Sequence, residues 1–329
     1  MIEEKILLRL GGTKMKRPFV ILTGPTAVGK TDLSIKLAKA INGEIISADS
    51  MQVYKYMNIG TAKIKADEMC GVKHYLIDEF EPDEEFNVVK FKEYATKYME
   101  EIYQKGKIPI LVGGTGFYIQ SVLYDIDFTE TKKNDSYREE LEQLVAEKGV
   151  TYLHAMLEKV DPVSAGAIHE NNAKRVIRAL EYYKETATCI SEHNEEQREK
   201  DSPYNYAYIV LNNDRDVLYQ RIDKRVDQMI KEGLLEEVRQ LFEEKGYSRD
   251  LVSMQGLGYK EIIMYLLGEC TLEEATYILK RDTRHFAKRQ ITWFKREKEV
   301  NWIDKSKYHE DDTLILNEIL LILKEKGII

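Results

Sequence analysis

The sequence predicts an α/β fold in which a parallel sheet is covered by helices. Short apolar runs at Phe19 to Leu22, Ile108 to Val112 and Ala207 to Leu211 are typical of buried strands. Segments between them place apolar residues three or four positions apart, as amphipathic helices do. The first run is followed at once by a glycine-rich turn and a helical pattern. Strands and helices in this alternation favour a parallel arrangement.

The glycine-rich turn, GPTAVGKT, matches the pattern G-x-x-x-x-G-K-[ST]. In such a P-loop, backbone N–H groups and the following helix N-terminus surround phosphate oxygens. Lys30 is expected to contact a terminal phosphate and Thr31 to hold Mg²⁺. The motif predicts a P-loop NTPase-like, nucleoside-kinase-like sheet core. Its predicted phosphate-binding residues are Gly24, Pro25, Thr26, Ala27, Val28, Gly29, Lys30 and Thr31.

A second buried strand, Glu44 to Ala48, runs into Asp49-Ser50-Met51-Gln52. The carboxyl ends of parallel strands form the ligand-binding edge of an open sheet. Asp49 is therefore a candidate general base, but it could also hold magnesium or cap the next segment. His74, in the next short strand, is expected to be structural.

The third strand, Ile108 to Val112, ends in Gly113-Gly114-Thr115-Gly116. An ATPase usually carries a magnesium-directed aspartate at such a strand end, and this chain has none there. The Thr115 hydroxyl is predicted to bind a phosphate or the attacking group. The alternative is a turn whose glycines only permit positive φ.

Residues 125–205 have short helical patterns and little strand signal, which predicts a helical insertion between two parts of the core, 17–124 and 206–329. One amphipathic helix in this segment carries Lys174, Arg175 and Arg178. Such a cluster either contacts the phosphates of a large anionic partner or is a solvated face, and composition does not decide between them.

Residues 206–329, the second part of the core, carry two further basic features. Arg221 and Arg225 lie one turn apart on a long helix, and at least one of them is predicted to act as a lid over the phosphates, with surface ion pairs as the alternative. A later helix opens with a capping box at Thr271. Between positions 280 and 298 the chain has eight basic and two acidic residues, a net +6 within a protein of net charge -8. Lys280, Arg284 and Lys288 form a predicted stripe for nucleic acid.

Composition also limits the compartment. Three cysteines stand far apart and form no metal-binding spacing, which favours unpaired thiols in a reducing cytoplasm. No apolar run is long enough to cross a bilayer, so no membrane partner is expected.

The first strand begins near Pro18, and residues 1–16, with a possible alternative start at Met15, are expected to be dispensable for the fold. Trp302 is expected to lie in the core.

Five segments together resemble the bacterial tRNA dimethylallyltransferases: GPTAVGKT, DSMQVYKYMNIGTAK, GGTGFYIQ, MQGLGYKE and AKRQITWFKR. The resemblance extends over nearly the whole chain from about residue 17. It implies Mg²⁺ as cofactor and a monomer that acts on the anticodon stem-loop of tRNA with dimethylallyl diphosphate. The chain departs from the family in having His74-Tyr75 where paired histidines are frequent.

The resemblance also implies a mechanism in which no nucleoside triphosphate is consumed. The amine of the adenosine 3′ of the anticodon attacks the donor's first carbon. Asp49 accepts from that amine, Thr115 orients the reacting groups, and Arg221 stabilises the departing diphosphate, which Arg225 also binds. The implied tRNA contacts are Asp49, Ser50, Met51, Gln52, Arg138, Lys174, Arg175, Val176, Ile177, Arg178, Gln255, Gly256, Leu257, Gly258, Tyr259, Lys260, Arg284 and Lys288.

Three other functions remain open from the sequence. The first is a small-molecule kinase with ATP in the P-loop, against which stand the missing aspartate after Val112 and the basic helix. The second is a P-loop switch that binds RNA without modifying it. The third is a prenyltransferase acting on free AMP or ADP, for which the basic helix would have no partner.

Overall fold

The computed structural model describes residues 16–128 and 135–329. Residues 1–15 lie outside the described ranges. The predictions that residues 1–16 are dispensable and that Met15 is an alternative start therefore concern a segment of which only Lys16 is described. The chain forms two compact units. One combines residues 16–123 with Pro203–Ile329, and the other is Tyr124–Ser202. This division lies close to the predicted insertion at 125–205.

Six strands of the described residues form one parallel sheet, which confirms the predicted α/β fold. The order across the sheet is β3-β2-β4-β1-β5-β6. The strands are β1 (Arg17–Thr23), β2 (Gly43–Ala48), β3 (His74–Tyr75), β4 (Ile108–Gly113), β5 (Tyr204–Asn212) and β6 (Val300–Asp304).

The helices are numbered in chain order across both units. Those of the first unit before the insertion are α1 (Lys30–Ala40), α2 (Val88–Gln104) and α3 (Gly116–Leu123). The second unit contains α4 (Asp135–Lys148), α5 (Val150–Val160), α6 (Pro162–Ala167), α7 (Ala173–Thr186) and α8 (Ile190–Glu199). The first unit then continues with α9 (Arg215–Glu232), α10 (Leu234–Arg239), α11 (Tyr259–Leu266), α12 (Leu272–Phe294) and α13 (Asp312–Glu325).

One apolar core of the first unit joins α1 and α13 to the sheet. Leu33 and Leu37 of α1 are one turn apart and pack with Ile209 of β5, and Ile315 and Ile319 of α13 complete the cluster. All five side chains are fully buried. This packing fixes the start of α1 against the end of β1, where the P-loop lies.

The sixth strand was not predicted from the sequence, and the expected core position of Trp302 is wrong. Trp302 is 40% exposed, whereas its neighbour Ile303 is 2% exposed. β6 pairs only with β5 and is an edge strand. Because side chains alternate across a strand, one residue of such a pair faces the core and the next faces away.

The second unit has its own apolar core. Leu153 and Leu157 of α5 pack there with Leu180 of α7. Asn172 caps α7: its side-chain oxygen accepts a hydrogen bond from the Arg175 N–H at 3.4 Å. The same cap orients the basic first turn of that helix.

Two further expectations concern the whole described chain. Cys70, Cys189 and Cys270 are free thiols, as predicted. Among the helices that the structure describes, none combines the length and the apolar character that crossing a membrane requires.

Candidate active site

Three strand ends lie side by side at one edge of the sheet. Thr23 of β1 and Ala48 of β2 are both in register with Gly113 of β4. The strands approach closely here, since a Cβ on Gly113 would lie 2.2 Å from the Ala48 carbonyl oxygen. The three loops that follow these residues therefore start at the same level.

The P-loop follows β1, and its two glycines have backbone angles that other residues rarely adopt. Gly24 has φ 147° and Gly29 has φ 91°. A Cβ on Gly24 would also lie 2.4 Å from the Leu211 carbonyl oxygen. The Lys30 ammonium donates hydrogen bonds to the carbonyls of Gly24 and Pro25, both at 2.9 Å. The lysine thus lies over its own loop.

Lys30, Arg225 and Asp49 share one electrostatic environment. Burial, the largest cause, and the nearby charge of Arg225 together lower the pKa of Lys30 to about 7, against the opposing effect of Asp49. Burial also lowers the pKa of Arg225, against the opposing effect of Asp49. Two cationic side chains thus face one carboxylate, and the excess positive charge suits a phosphate anion.

Asp49 caps the loop after β2 and keeps one oxygen available. Its Oδ1 accepts hydrogen bonds from the N–H groups of Met51 at 2.9 Å and Gln52 at 3.2 Å. The capping alternative is therefore observed. Its Oδ2 forms no hydrogen bond with any described residue, so the same carboxylate can still accept from a bound substrate.

The two arginines of α9 differ in their surroundings. Arg221 forms an ion pair with Glu310 at 2.6 Å. Asn213 also donates to that carboxylate. Arg225 is the one that acts on the pKa of Lys30. Arg225 therefore interacts electrostatically with Lys30, whereas Arg221 is paired with Glu310.

Thr115 lies at the end of β4, half-buried. Its N–H donates to the Ala48 carbonyl at 3.2 Å, and its own carbonyl accepts from Tyr118 and Ile119 at the start of α3. Its hydroxyl forms no hydrogen bond with a described residue. The backbone is thus fixed and the hydroxyl is available, but its predicted role stays a prediction.

Thr31 fits the predicted magnesium position. Its side chain is exposed at the start of α1, and its hydroxyl has no partner among the residues that the structure describes. Among all residues that the structure describes, no group of three or more His, Cys, Asp or Glu side chains could hold a metal ion. Mg²⁺ usually takes one or two protein ligands together with phosphate oxygens and water. The magnesium prediction therefore needs a phosphate ligand as well as Thr31.

Two of the predicted tRNA-contact segments lie against each other. A Cβ on Gly256 would lie 2.4 Å from Cε of Met51. A Cβ on Gly60 would lie 2.5 Å from the Tyr259 ring, which is fully buried. The segments 49–52 and 255–260 therefore form one surface beside the carboxylate of Asp49.

Glu237 of α10 anchors this surface. It accepts a hydrogen bond from the Tyr259 hydroxyl at 2.7 Å. It also accepts from three successive backbone N–H groups, those of Asn58, Ile59 and Gly60. A single carboxylate thus joins the loop after β2 to the start of α11.

The predicted contact residues of the second unit divide into exposed and buried groups. Lys174, Arg175 and Arg178 are exposed. Val176 and Ile177 are 0% and 5% exposed and their side chains belong to the core, so only their backbone could reach a partner, and the predicted contact stays a prediction. The remaining residue, Arg138, donates two hydrogen bonds of 2.8 Å to Glu181.

The predicted basic stripe of α12 is not continuous at the surface. Lys280 forms an ion pair with Asp227 at 2.7 Å, and Arg284 pairs with Asp223. Both aspartates belong to α9, which packs against α12. Lys288 is exposed and forms no ion pair with a described residue. The unpaired charge therefore lies towards the C-terminal end of α12.

A recess lies beside the start of α1, and most of its wall is apolar. His74 is in its lining, where its Nδ1 lies 2.9 Å from the Val72 carbonyl oxygen, in keeping with the predicted structural role. The lining residues are Thr31, Ser34, Ile45, Ser47, Gln52, Ile64, His74, Ile77 and Val112.

Sequence reasoning missed three polar residues that hold the loops of this site: Glu237, Gln290 and Lys305. Lys305 follows β6 and is 4% exposed. Its ammonium lies 3.1 Å from the position of a Cβ on Gly29 and bonds to Asp312 at 3.0 Å. The position of Lys305 after the last strand could have been recognised only if that strand had been predicted.

The fold and the site define a protein of the α/β class with a P-loop at one edge of its parallel sheet and a helical insertion. The profile of the IPP transferase family matches residues 52–297, and the chain belongs to that family. A protein of Lachnoclostridium phytofermentans named tRNA dimethylallyltransferase is 66% identical, over 95% of this chain and 99% of its own length.

Two solved structures resemble most of the chain. One is the full-length tRNA isopentenylpyrophosphate transferase of Bacillus halodurans, with 47% identity, a TM-score of 0.71, and coverage of 95% of this chain and 98% of that one. The other is a eukaryotic dimethylallyltransferase acting on tRNA, with 31% identity, a TM-score of 0.75, and coverage of 88% and 74%.

The lowered pKa of Lys30 leads to a testable proton uptake. A bound anion favours the charged amine and raises its pKa above about 7. At pH 8, where the free side chain is mostly neutral, binding of inorganic diphosphate should therefore take up roughly one proton at Lys30. Calorimetry in buffers of different ionisation enthalpy measures this uptake. Lys30→Arg keeps the charge and should abolish it, and equal uptake in both proteins would contradict the assignment.

The two arginines of α9 should differ in their effect on diphosphate binding. Arg225→Gln is expected to weaken the affinity for inorganic diphosphate by about 10- to 100-fold, the value of a lost charged hydrogen bond. Arg221→Gln removes a side chain that is paired with Glu310 and should cost less than about 3-fold. Calorimetric titration of both variants tests this, and the reverse order of effects would rule out the placement of Arg225 at the phosphates.

Proposed function

We propose that this protein transfers the dimethylallyl group from dimethylallyl diphosphate to the N6 amine of the adenosine at position 37, directly 3′ of the tRNA anticodon. The products are N6-dimethylallyladenosine and diphosphate. The observation that carries the proposal is the shared environment of Lys30, Arg225 and Asp49, a phosphate site next to a carboxylate with one available oxygen. Membership of the IPP transferase family supports the reaction class.

The transfer balances without a further reactant. The amine nitrogen forms a bond to the first carbon of the donor, and the bond from that carbon to the diphosphate oxygen breaks. The electron pair leaves with the diphosphate, and Asp49 accepts the hydrogen bond or the proton of the amine. Lys30 and Arg225 stabilise the charge that develops on the leaving group. When bound at Thr31, Mg²⁺ would add positive charge at the same oxygens.

The recess beside Thr31 suits the apolar end of the donor. Its wall contains Ile45, Ile64, Ile77 and Val112. Because it begins at Thr31, a donor whose phosphates lie in the P-loop can place its short hydrocarbon chain there. Burial of that chain would contribute about 0.8 kcal/mol for each methylene removed from water.

The acceptor base must leave its stack to reach this site, as bases do when enzymes modify them. The surface formed by segments 49–52 and 255–260 lies beside Asp49 and is where we place the extruded nucleotide. Lys288 and Arg289 of α12, and Lys295 directly after it, are exposed and form no ion pair with any residue of the described ranges. We place tRNA phosphates on these three cations, while Arg284 helps to hold α12 against α9.

We also propose a cytoplasmic monomer. A tRNA substrate and three free thiols suit the cytoplasm. The P-loop, Asp49, Thr115 and Arg225 all come from one chain, which supports the monomer.

Asp49→Asn separates basicity from capping, because the amide oxygen can still accept from Met51 and Gln52. Transfer to unmodified tRNA, measured by mass spectrometry of the nucleosides, should fall by about 10²-fold or more. Affinity for inorganic diphosphate should change little.

The exposed Asp67 lies on a separate turn and provides a matched control in Asp67→Asn, which should transfer at the wild-type rate. If Asp49→Asn transferred within a few-fold of the wild type, Asp49 would have no part in the chemical step.

A further inference from the structure

Gln290 of α12 lies between the two glycine-rich turns of the site and is 6% exposed. Its Oε1 accepts a hydrogen bond from the N–H of Thr26 in the P-loop at 2.9 Å. Its Nε2 donates to the carbonyl of Gly114 at 3.0 Å. A backbone N–H can only donate and a carbonyl can only accept, so this orientation of the amide is the one that satisfies both turns.

The contact between α12 and the second turn leaves no space for side chains. A Cβ on Gly114 would lie 2.1 Å from Nε2 of Gln290. Nearly one helical turn later, Trp293 lies 2.2 Å from the position of a Cβ on Gly116. α12 thus packs against both neighbours of Thr115 in the chain, and Gln290 ties that turn to the P-loop.

We propose that Gln290 is a positioning residue that sets the distance between the P-loop and the Thr115 turn. The chemical part of this inference rests on the proposed function, in which the donor phosphates lie in the P-loop and Thr115 orients the reacting groups. A displacement of about 1 Å at such a site can cost about 10²-fold in rate. Gln290 acts through the loops and does not itself touch a substrate.

A glutamine suits this position because one neutral group supplies both a donor and an acceptor. A carboxylate would place an oxygen next to the Gly114 carbonyl oxygen, and burial of its negative charge would cost free energy. An apolar side chain would leave the Thr26 N–H and the Gly114 carbonyl without these partners. Both substitutions change the link between the turns and leave the P-loop residues unchanged.

The first test is Gln290→Glu, which keeps the acceptor to Thr26 and loses the donor to Gly114. At pH 8, kcat for transfer to tRNA should fall by about 10- to 100-fold. The Kd for inorganic diphosphate should stay within about 3-fold of the wild type, because the cradle itself is intact. A protonated carboxyl regains a donor, so the ratio of variant to wild-type kcat should rise as the pH is lowered towards 6.

The second test separates the hydrogen bonds from packing. Gly114 has a φ outside the left-handed region, so Gly114→Ala is acceptable to the backbone but collides with the Gln290 amide. Adding Gln290→Ala removes that collision without restoring the link. We expect the melting temperature to fall in Gly114→Ala and to rise again in the double variant, while kcat stays low in both.

Thr276→Val provides a control on the same helix. It also removes one side-chain hydrogen bond, from Thr276 to the Leu272 carbonyl, but lies away from both turns. It should keep the wild-type kcat and pH profile. The proposal is overturned if Gln290→Glu has a kcat near that of the wild type, or if the ratio of its kcat to the wild-type kcat does not change with pH. It is also overturned if kcat recovers together with the melting temperature in the double variant.

A readout that needs no activity distinguishes failure of this inference from failure of the proposed function. An inactive wild-type protein would refute the function alone. Hydrogen exchange would then decide the inference, because Gln290→Glu should speed exchange of the backbone amides at 114–116 and leave α1 unchanged. Unchanged exchange at 114–116 would overturn the role of Gln290.

Discussion

The site depends on the register of three parallel strands. Thr23 and Ala48 both lie opposite Gly113, and the buried Thr23 hydroxyl donates to the Gly113 carbonyl at 2.6 Å. In a parallel sheet the strands end at the same edge, so the loops after them open towards a common space. Here one loop supplies the phosphate cradle, the second supplies Asp49 and the third supplies Thr115. Backbone pairing thereby sets the spacing that the chemistry requires.

Buried and half-buried polar side chains from the later part of the chain hold these loops in place. Glu237 binds the loop after β2, Gln290 joins the P-loop to the turn after β4, and Lys305 lies against Gly29. Each is paired, as a buried polar group must be to stabilise a fold. The basic residues of α12 also divide into paired and unpaired groups. Aspartates of α9 neutralise part of α12, and the cations left unpaired are those proposed to bind RNA.

Local patterns predicted the P-loop, the strands on both sides of it and the helical insertion, because each depends on residues close in sequence. The features that were missed depend on contacts between distant segments. An i, i+4 pair on one helix does not reveal that Arg225 faces Lys30 while Arg221 meets Glu310. Likewise, β6 has the mixed pattern of an edge strand, and Gln290 belongs to no phosphate-binding motif. Tertiary packing assigns these roles, and a single sequence carries no direct signal for it.

The central claim is that the P-loop holds the diphosphate of a prenyl donor and that the acceptor is tRNA. The most direct measurement supplies labelled dimethylallyl diphosphate and Mg²⁺ without ATP, and offers unmodified tRNA and free AMP in parallel reactions. The account predicts label in tRNA alone, at a rate that added ATP does not increase. Label in AMP, or transfer that requires ATP, would contradict it.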